Sequence, residues 1–149
     1  MKYDQRGVMK IGQEQFQLDD CPNTRLYLFD SDEFEGEITI GFDAWFKNGE
    51  YAGETVSPSI TVNEHETHKS SPEELVGMMF AVSDSKEAIE REDMMYIFEH
   101  EPILSYSFTV LAIENGQMHI EISGTAVTDG YSRPCVTAPF SADIWLDIV

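Results

Sequence analysis

The chain has 149 residues, of which 42% are hydrophobic and 11% aromatic, and its formal net charge is −19. That length can bury a core of its own without a metal or a disulfide. The composition excludes a disordered or collagen-like chain, no apolar run approaches the roughly 20 residues of a membrane-spanning helix, and so negative a field repels nucleic acid and anionic lipid.

The charge is unevenly placed. Residues 30–101 carry 19 acids against Lys47, Lys69, Lys86 and Arg91, a net of −15, while residues 1–29 balance four acids with four bases. A field of that kind steers cationic partners toward the chain.

From the start, MKYDQRGVMK lacks the apolar stretch of a secretory leader, so a cytoplasmic location is expected. Cys21 and Cys135 then read as free thiols. Val8, Ile11, Phe16 and Leu18 around Gly12 suggest a short hairpin, and Arg25 to Phe29 a compact strand. Asp30-Ser-Asp-Glu-Phe-Glu-Gly36 is an acidic loop. It fails as a calcium loop, because Phe34 stands where an oxygen ligand is needed and the glycine comes one place late.

Ile38, Ile40, Phe42, Ala44 and Phe46 alternate with Thr39, Gly41, Asp43, Trp45 and Lys47, the period of a half-buried strand. Asn48-Gly49 predicts a hairpin turn back through Tyr51 to Val56. Pro58 interrupts, and Ile60 to Val62 resumes as a short strand. His65 and His68 follow in a polar stretch. Their H-x-x-H spacing would share a face on a helix and point apart in extended chain.

Ser71-Pro-Glu-Glu74 is a capping box, and Leu75, Met78, Met79 and Val82 recur at helical spacing, so a helix is predicted over 72–82. A second box at Asp84 to Glu87 opens a short helix through about Glu92. Met94 to Phe98 reads as a strand.

The strongest local signal is Ile103 to Ser123, two apolar runs joined by Asn115-Gly116. That dipeptide supplies the two positive φ angles of a type I′ turn. Counting outward pairs Glu114 with Gln117, Ile113 with Met118, Leu111 with Ile120 and Thr109 with Ile122. Residues 104–113 are apolar on both faces and so predict an inner strand, with 117–123 half-exposed beside it. Phe140 to Ile148 alternates as a final strand. Phe42 to Phe46 and Ala142 to Leu146 share the pattern Asp-x-Trp, which holds both tryptophans.

These elements predict an α+β, mainly β fold: an antiparallel bent sheet or sandwich of about eight to ten strands, with one or two helices inserted near residues 71–93. There is no phosphate loop, G-x-S-x-G, H-E-x-x-H or C-x-x-C motif. The expected function is therefore a non-catalytic acidic binding protein without a cofactor. It would engage a basic protein, as an inhibitor or immunity-type protein does, through Asp30, Asp32, Glu33, Glu35 and Asp43 with Trp45 as anchor. No nucleic acid or membrane partner is expected. Two alternatives stand: a small metal-dependent hydrolase using His65 and His68, and a structural domain that oligomerises through sheet edges.

Overall fold

The structure, a computed structural model, describes residues 7–149. Residues 1–6, which hold most of the stretch that bears on a leader, lie outside the described residues. The described chain is mostly antiparallel β with one α-helix: β1 (Gly7–Ile11), β2 (Glu14–Gln17), β3 (Arg25–Asp30), β4 (Ile38–Trp45), β5 (Gly49–Tyr51), β6 (Glu54–Val56), β7 (Ser59–Glu66), β8 (Met79–Val82), α1 (Ser85–Arg91), β9 (Met94–Tyr96), β10 (His100–Glu114), β11 (Gln117–Asp129) and β12 (Val136–Asp147). Among the described residues, no helix is long and apolar enough to cross a membrane.

The strands form one curled sheet in the order β2-β1-β12-β11-β10-β9-β7-β4-β3, with β8 beside β10 and β5-β6 as a separate hairpin. β10 is its spine. The first three residues of β10 pair with β9, Tyr106 to Thr109 pair with β8, and its other edge runs along β11. The sheet curls far enough for its ends to meet the rest of the molecule. Leu18, just past β2, bridges Phe46, and Leu26 in β3 bridges Ile148 in parallel. Val149 N–H donates to the Leu26 carbonyl at 2.8 Å and Lys47 N–H to the Gln17 carbonyl at 2.8 Å. Much of the edge that an open sheet would leave unpaired is thereby used. Inside the curl, side chains from both halves form one apolar cluster, with Met9, Ile40, Phe42, Ile60, Met95, Phe108 and Ile120 fully buried.

The Asn115-Gly116 turn forms as expected, with φ of 52° and 77°, and Glu114 faces Gln117 and Ile113 faces Met118. Beyond Ala112 the predicted register fails. A bulge at Leu111 puts Val110, not Leu111, opposite Ile120, and Phe108, not Thr109, opposite Ile122. One extra residue turns every later side chain to the other face. Tyr106, Phe108 and Val110 are consequently buried, and Leu111 is 39% exposed.

The helix predicted over 72–82 is a single 3-10 turn, Pro72–Leu75, followed by strand β8. The capping box itself is present: the Glu74 carboxylate accepts from Ser71 N–H at 3.1 Å. The turn stops because Val76 is extended and Gly77 takes φ 92°, which a helix cannot use. Pairing with β10 then outweighs the helical spacing of the methionines. The second helix is α1, capped by the Asp84 side chain on Lys86 N–H and ended by Glu92 at φ 62°. The hairpin predicted at Asn48-Gly49 turns instead at Ala52-Gly53, between β5 and β6. The main sheet of the described residues has ten strands, and the short β5-β6 hairpin stands apart from it.

Gly124 of β11 lies between Tyr106 and Phe140. A Cβ there would collide with the Ser105 carbonyl oxygen and lie 2.8 Å from Tyr106 Cα, both backbone atoms. Gly124→Ala is expected to lose about 1–3 kcal/mol of stability through forced backbone shifts. Urea unfolding would show it, and a midpoint equal to that of the unaltered protein would mean that the spine yields at little cost.

Candidate binding face

The acidic loop is rigidly built. Ser31 Oγ accepts from Glu33 and Phe34 N–H at 3.1 and 3.0 Å, and Ser31 N–H donates to the Glu37 carbonyl at 2.8 Å. This folds residues 31–37 onto themselves and leaves Asp30, Asp32, Glu33 and Glu35 at the solvent-facing surface. Phe34, in their midst, is 40% exposed and meets the His68 ring edge-on at 5.1 Å. Phe29, at the end of β3, is 47% exposed and stacks on Tyr27 at 5.5 Å. Sequence reasoning misses both phenylalanines. It takes Phe34 only as a defect in a calcium loop, although a large apolar side chain inside an acidic run is itself a signal.

Asp43 and Trp45 do not belong to the same spot. Asp43 lies mid-sheet, where its carboxylate accepts from Tyr27 OH at 2.6 Å and Thr61 Oγ1 at 2.8 Å. Arg25 Nε donates in turn to Tyr27 OH at 2.9 Å. Burial, followed by the Asp43 acceptor, raises the Tyr27 phenol above its ordinary range. Both Asp43 oxygens are thus spent inside the sheet. Trp45 is 41% exposed but sits at the far end of β4 from the loop, a separation of about 23 Å for an eight-residue strand. Trp145 is half-buried and stacks on His119 at 4.6 Å, while Asp143 pairs with that same histidine. The two Asp-x-Trp patterns share a strand position and serve different neighbours.

The two histidines also part. His68 lies in the turn after β7, exposed, with Nδ1 3.1 Å from Glu37. His65 turns inward from β7 between Phe80 and Phe108, and its Nε2 lies 2.7 Å from Tyr106 OH. Among the described residues, no group of three or more His, Cys, Asp or Glu is placed to hold a metal ion.

Behind His65 is a buried polar chain invisible in the sequence. Tyr106 OH donates to Asp93 Oδ2 at 2.5 Å, and Arg91 Nε donates to the same oxygen at 2.7 Å. Asn63 N–H donates to Asp93 Oδ1 at 2.7 Å. Arg91 also clasps the carbonyls of Asn63 and Glu64, at 2.6 and 3.1 Å. Asp93 is fully buried. Burial is the main reason the His65 imidazole is pushed down to about 4. Burial and the Asp93 acceptor drive the Tyr106 phenol up. With Tyr106 4% exposed and Asp93 sealed off, these groups tie β7, β10 and the end of α1 together.

Comparison with family models, curated proteins and solved structures finds no match.

Proposed function

We propose that this chain is a non-catalytic binding protein whose β3–β4 corner engages a basic protein. One observation carries the reading: Phe29 and Phe34 stand exposed among Asp30, Asp32, Glu33 and Glu35, on a loop fixed by its own hydrogen bonds. An apolar anchor inside a ring of like charge suits a partner that buries an aliphatic or aromatic side chain beside Lys or Arg. The fold adds support, because residues 30–101 build β4 to β9. Of these, β4, β7 and β9 lie toward the end of the strand order where β3 and the acidic loop are, while β8 and the β5-β6 hairpin lie elsewhere. Phe34 replaces Trp45 as the anchor, since Trp45 is a strand-length away. A rigid acidic loop of this kind fits the cationic cleft of a toxin or nuclease, the inhibitor or immunity form of the reading.

The test is a paired charge reversal. Asp30→Lys, Asp32→Lys, Glu33→Lys and Glu35→Lys together are expected to slow association with the basic partner by about tenfold or more and to flatten its salt dependence. Glu87→Lys with Glu90→Lys on α1 should leave both nearly unchanged. A partner recovered from cells and bound equally well by both charge-reversed proteins would refute the placement at this corner.

A further inference from the structure

A second concavity lies elsewhere, at one mouth of the curled sheet. The turn between β1 and β2, the tip of the β5-β6 hairpin, the segment leading into β10 and the junction of β11 with β12 border an open groove of about 470 Å³. That is within the range of small-ligand sites, which favour the mouths of β-barrels. Its walls are Tyr51, Phe98 and Val136, and Ile11 lies sealed beneath it.

The walls are held in place. Gly12 N–H donates to the Pro139 carbonyl at 2.9 Å, fixing the first turn against β12. The β5-β6 hairpin is seated at its base, where Gly49 lies so close to the Phe16 ring that a Cβ would come within 2.7 Å of it. At its tip the Tyr51 ring lies 6.1 Å from that of Phe98. The hairpin therefore stands over the mouth as a wall anchored at both ends.

The groove's charge is one-sided. Glu14 and Asp129 are the acids among the described residues that line it, and no Lys, Arg or His does. The bases nearest to it in sequence, Lys10 beside Ile11 and His100 two places after Phe98, are not among its lining residues, and Arg133 Nη1 donates to the carbonyls of Gly130, Tyr131 and Ser132. Asp129 accepts from Ser132 Oγ and Tyr131 N–H through its two oxygens, so it offers the groove negative charge and not a free acceptor. Two aromatic rings, the Val136 side chain and two carboxylates form a complementary set for one ligand chemistry. A ring or short chain enters the groove, and an ammonium stays near the acids and over the aromatic faces.

We infer that the groove between the β1–β2 turn and the β5-β6 hairpin is a binding site for a small aromatic or aliphatic ammonium compound. The site is separate from the β3–β4 corner and does not depend on its reading.

The probes are 2-phenylethylammonium, neutral 2-phenylethanol and anionic phenylacetate, titrated into the intact protein while backbone amide shifts are followed by NMR. Saturable shifts are expected at Tyr51, Phe98 and Val136, with affinity falling from cation to neutral to anion by about tenfold overall. Val136→Trp, at a position 48% exposed and so free to take a larger side chain, should fill the groove and weaken the cation at least about tenfold. Ala52→Trp fills it from the hairpin side and serves if the first variant misfolds. Glu14→Lys should weaken the cation about fivefold, while Glu87→Lys on α1 changes it less than about twofold. The inference is overturned if no probe saturates at millimolar concentration, if both groove-filling variants bind as before, or if Glu14→Lys and Glu87→Lys weaken binding equally. The last result would assign the effect to the charge of the whole molecule.

Discussion

Asp93→Ala is expected to lose about 3–5 kcal/mol of folding stability, more than the Gly124→Ala exchange in the spine. Asp93 has no exposed surface, and four donors converge on its carboxylate: Tyr106 OH, Arg91 Nε and Nη2, and Asn63 N–H. Truncation takes away the acceptor of Arg91 Nε, whose Nη atoms keep only the neutral carbonyls of Asn63 and Glu64, and leaves the Tyr106 hydroxyl only His65 Nε2 to turn to. The cost is the desolvation of those groups and not merely the loss of the bonds. Tyr106→Phe combined with Asp93→Ala should be less damaging than the sum of the two, because the phenol no longer lacks its acceptor. Denaturant unfolding of the four proteins measures this, and a loss below about 1 kcal/mol for Asp93→Ala would mean that the cluster is hydrated and not sealed.

Acid should weaken the fold through His65. The imidazole is held down to about 4 in the folded chain, first by burial and then by the Arg91 charge, against an opposing pull from Asp93. In the unfolded chain it titrates near the ordinary value of about 6.5. Between these two values the unfolded state takes up a proton that the folded state refuses. His65 therefore costs nothing above pH about 6.5, and stability falls as the pH drops toward 4, by up to about 3 kcal/mol. The groups facing His65 are Tyr106 from β10 and, beyond it, Asp93 and Arg91, with Phe80 and Phe108 completing its surroundings. Carboxylates titrate lower down, so the informative comparison is between pH 7 and 5. Over that interval the stability of His65→Gln should be flatter than that of the unaltered protein. Parallel curves for the two proteins would show that the ring is open to solvent.

What can be read from the residues is local. Asn115-Gly116 locates its turn because both φ angles are demanded by the dipeptide itself, and Asp84 locates the start of α1 because the cap is a contact between near neighbours. The alternation through Ile40, Phe42, Ala44 and Phe46 identifies the buried face of β4. What fails is decided at a distance. Nothing around Leu111 announces a bulge; the extra residue is absorbed there so that Phe108 and Val110, and not Thr109 and Leu111, meet the core. The spacing of Leu75, Met78, Met79 and Val82 fits a helix, but β10 offers Met79 to Val82 a ladder, and Gly77 makes the corner that reaches it. At the candidate site the loop acids are evident from composition. Trp45 is near them in sequence alone, and the length of β4 separates them. The cluster around Asp93 draws on residues 63, 65, 91, 93 and 106, which no spacing rule connects.

The seam between Leu26 and Ile148 has a consequence for biosynthesis. It joins β3 to residues made long after it along the chain. Until those residues clear the ribosome, β3 must wait without the partner that its flank has in the finished fold. Contacts so far apart along the chain are slow to form. The nascent molecule therefore spends its vulnerable interval with apolar strands uncovered. The surplus of carboxylates on residues 30–101 acts in that interval, because like charge keeps half-made copies of the same chain away from one another.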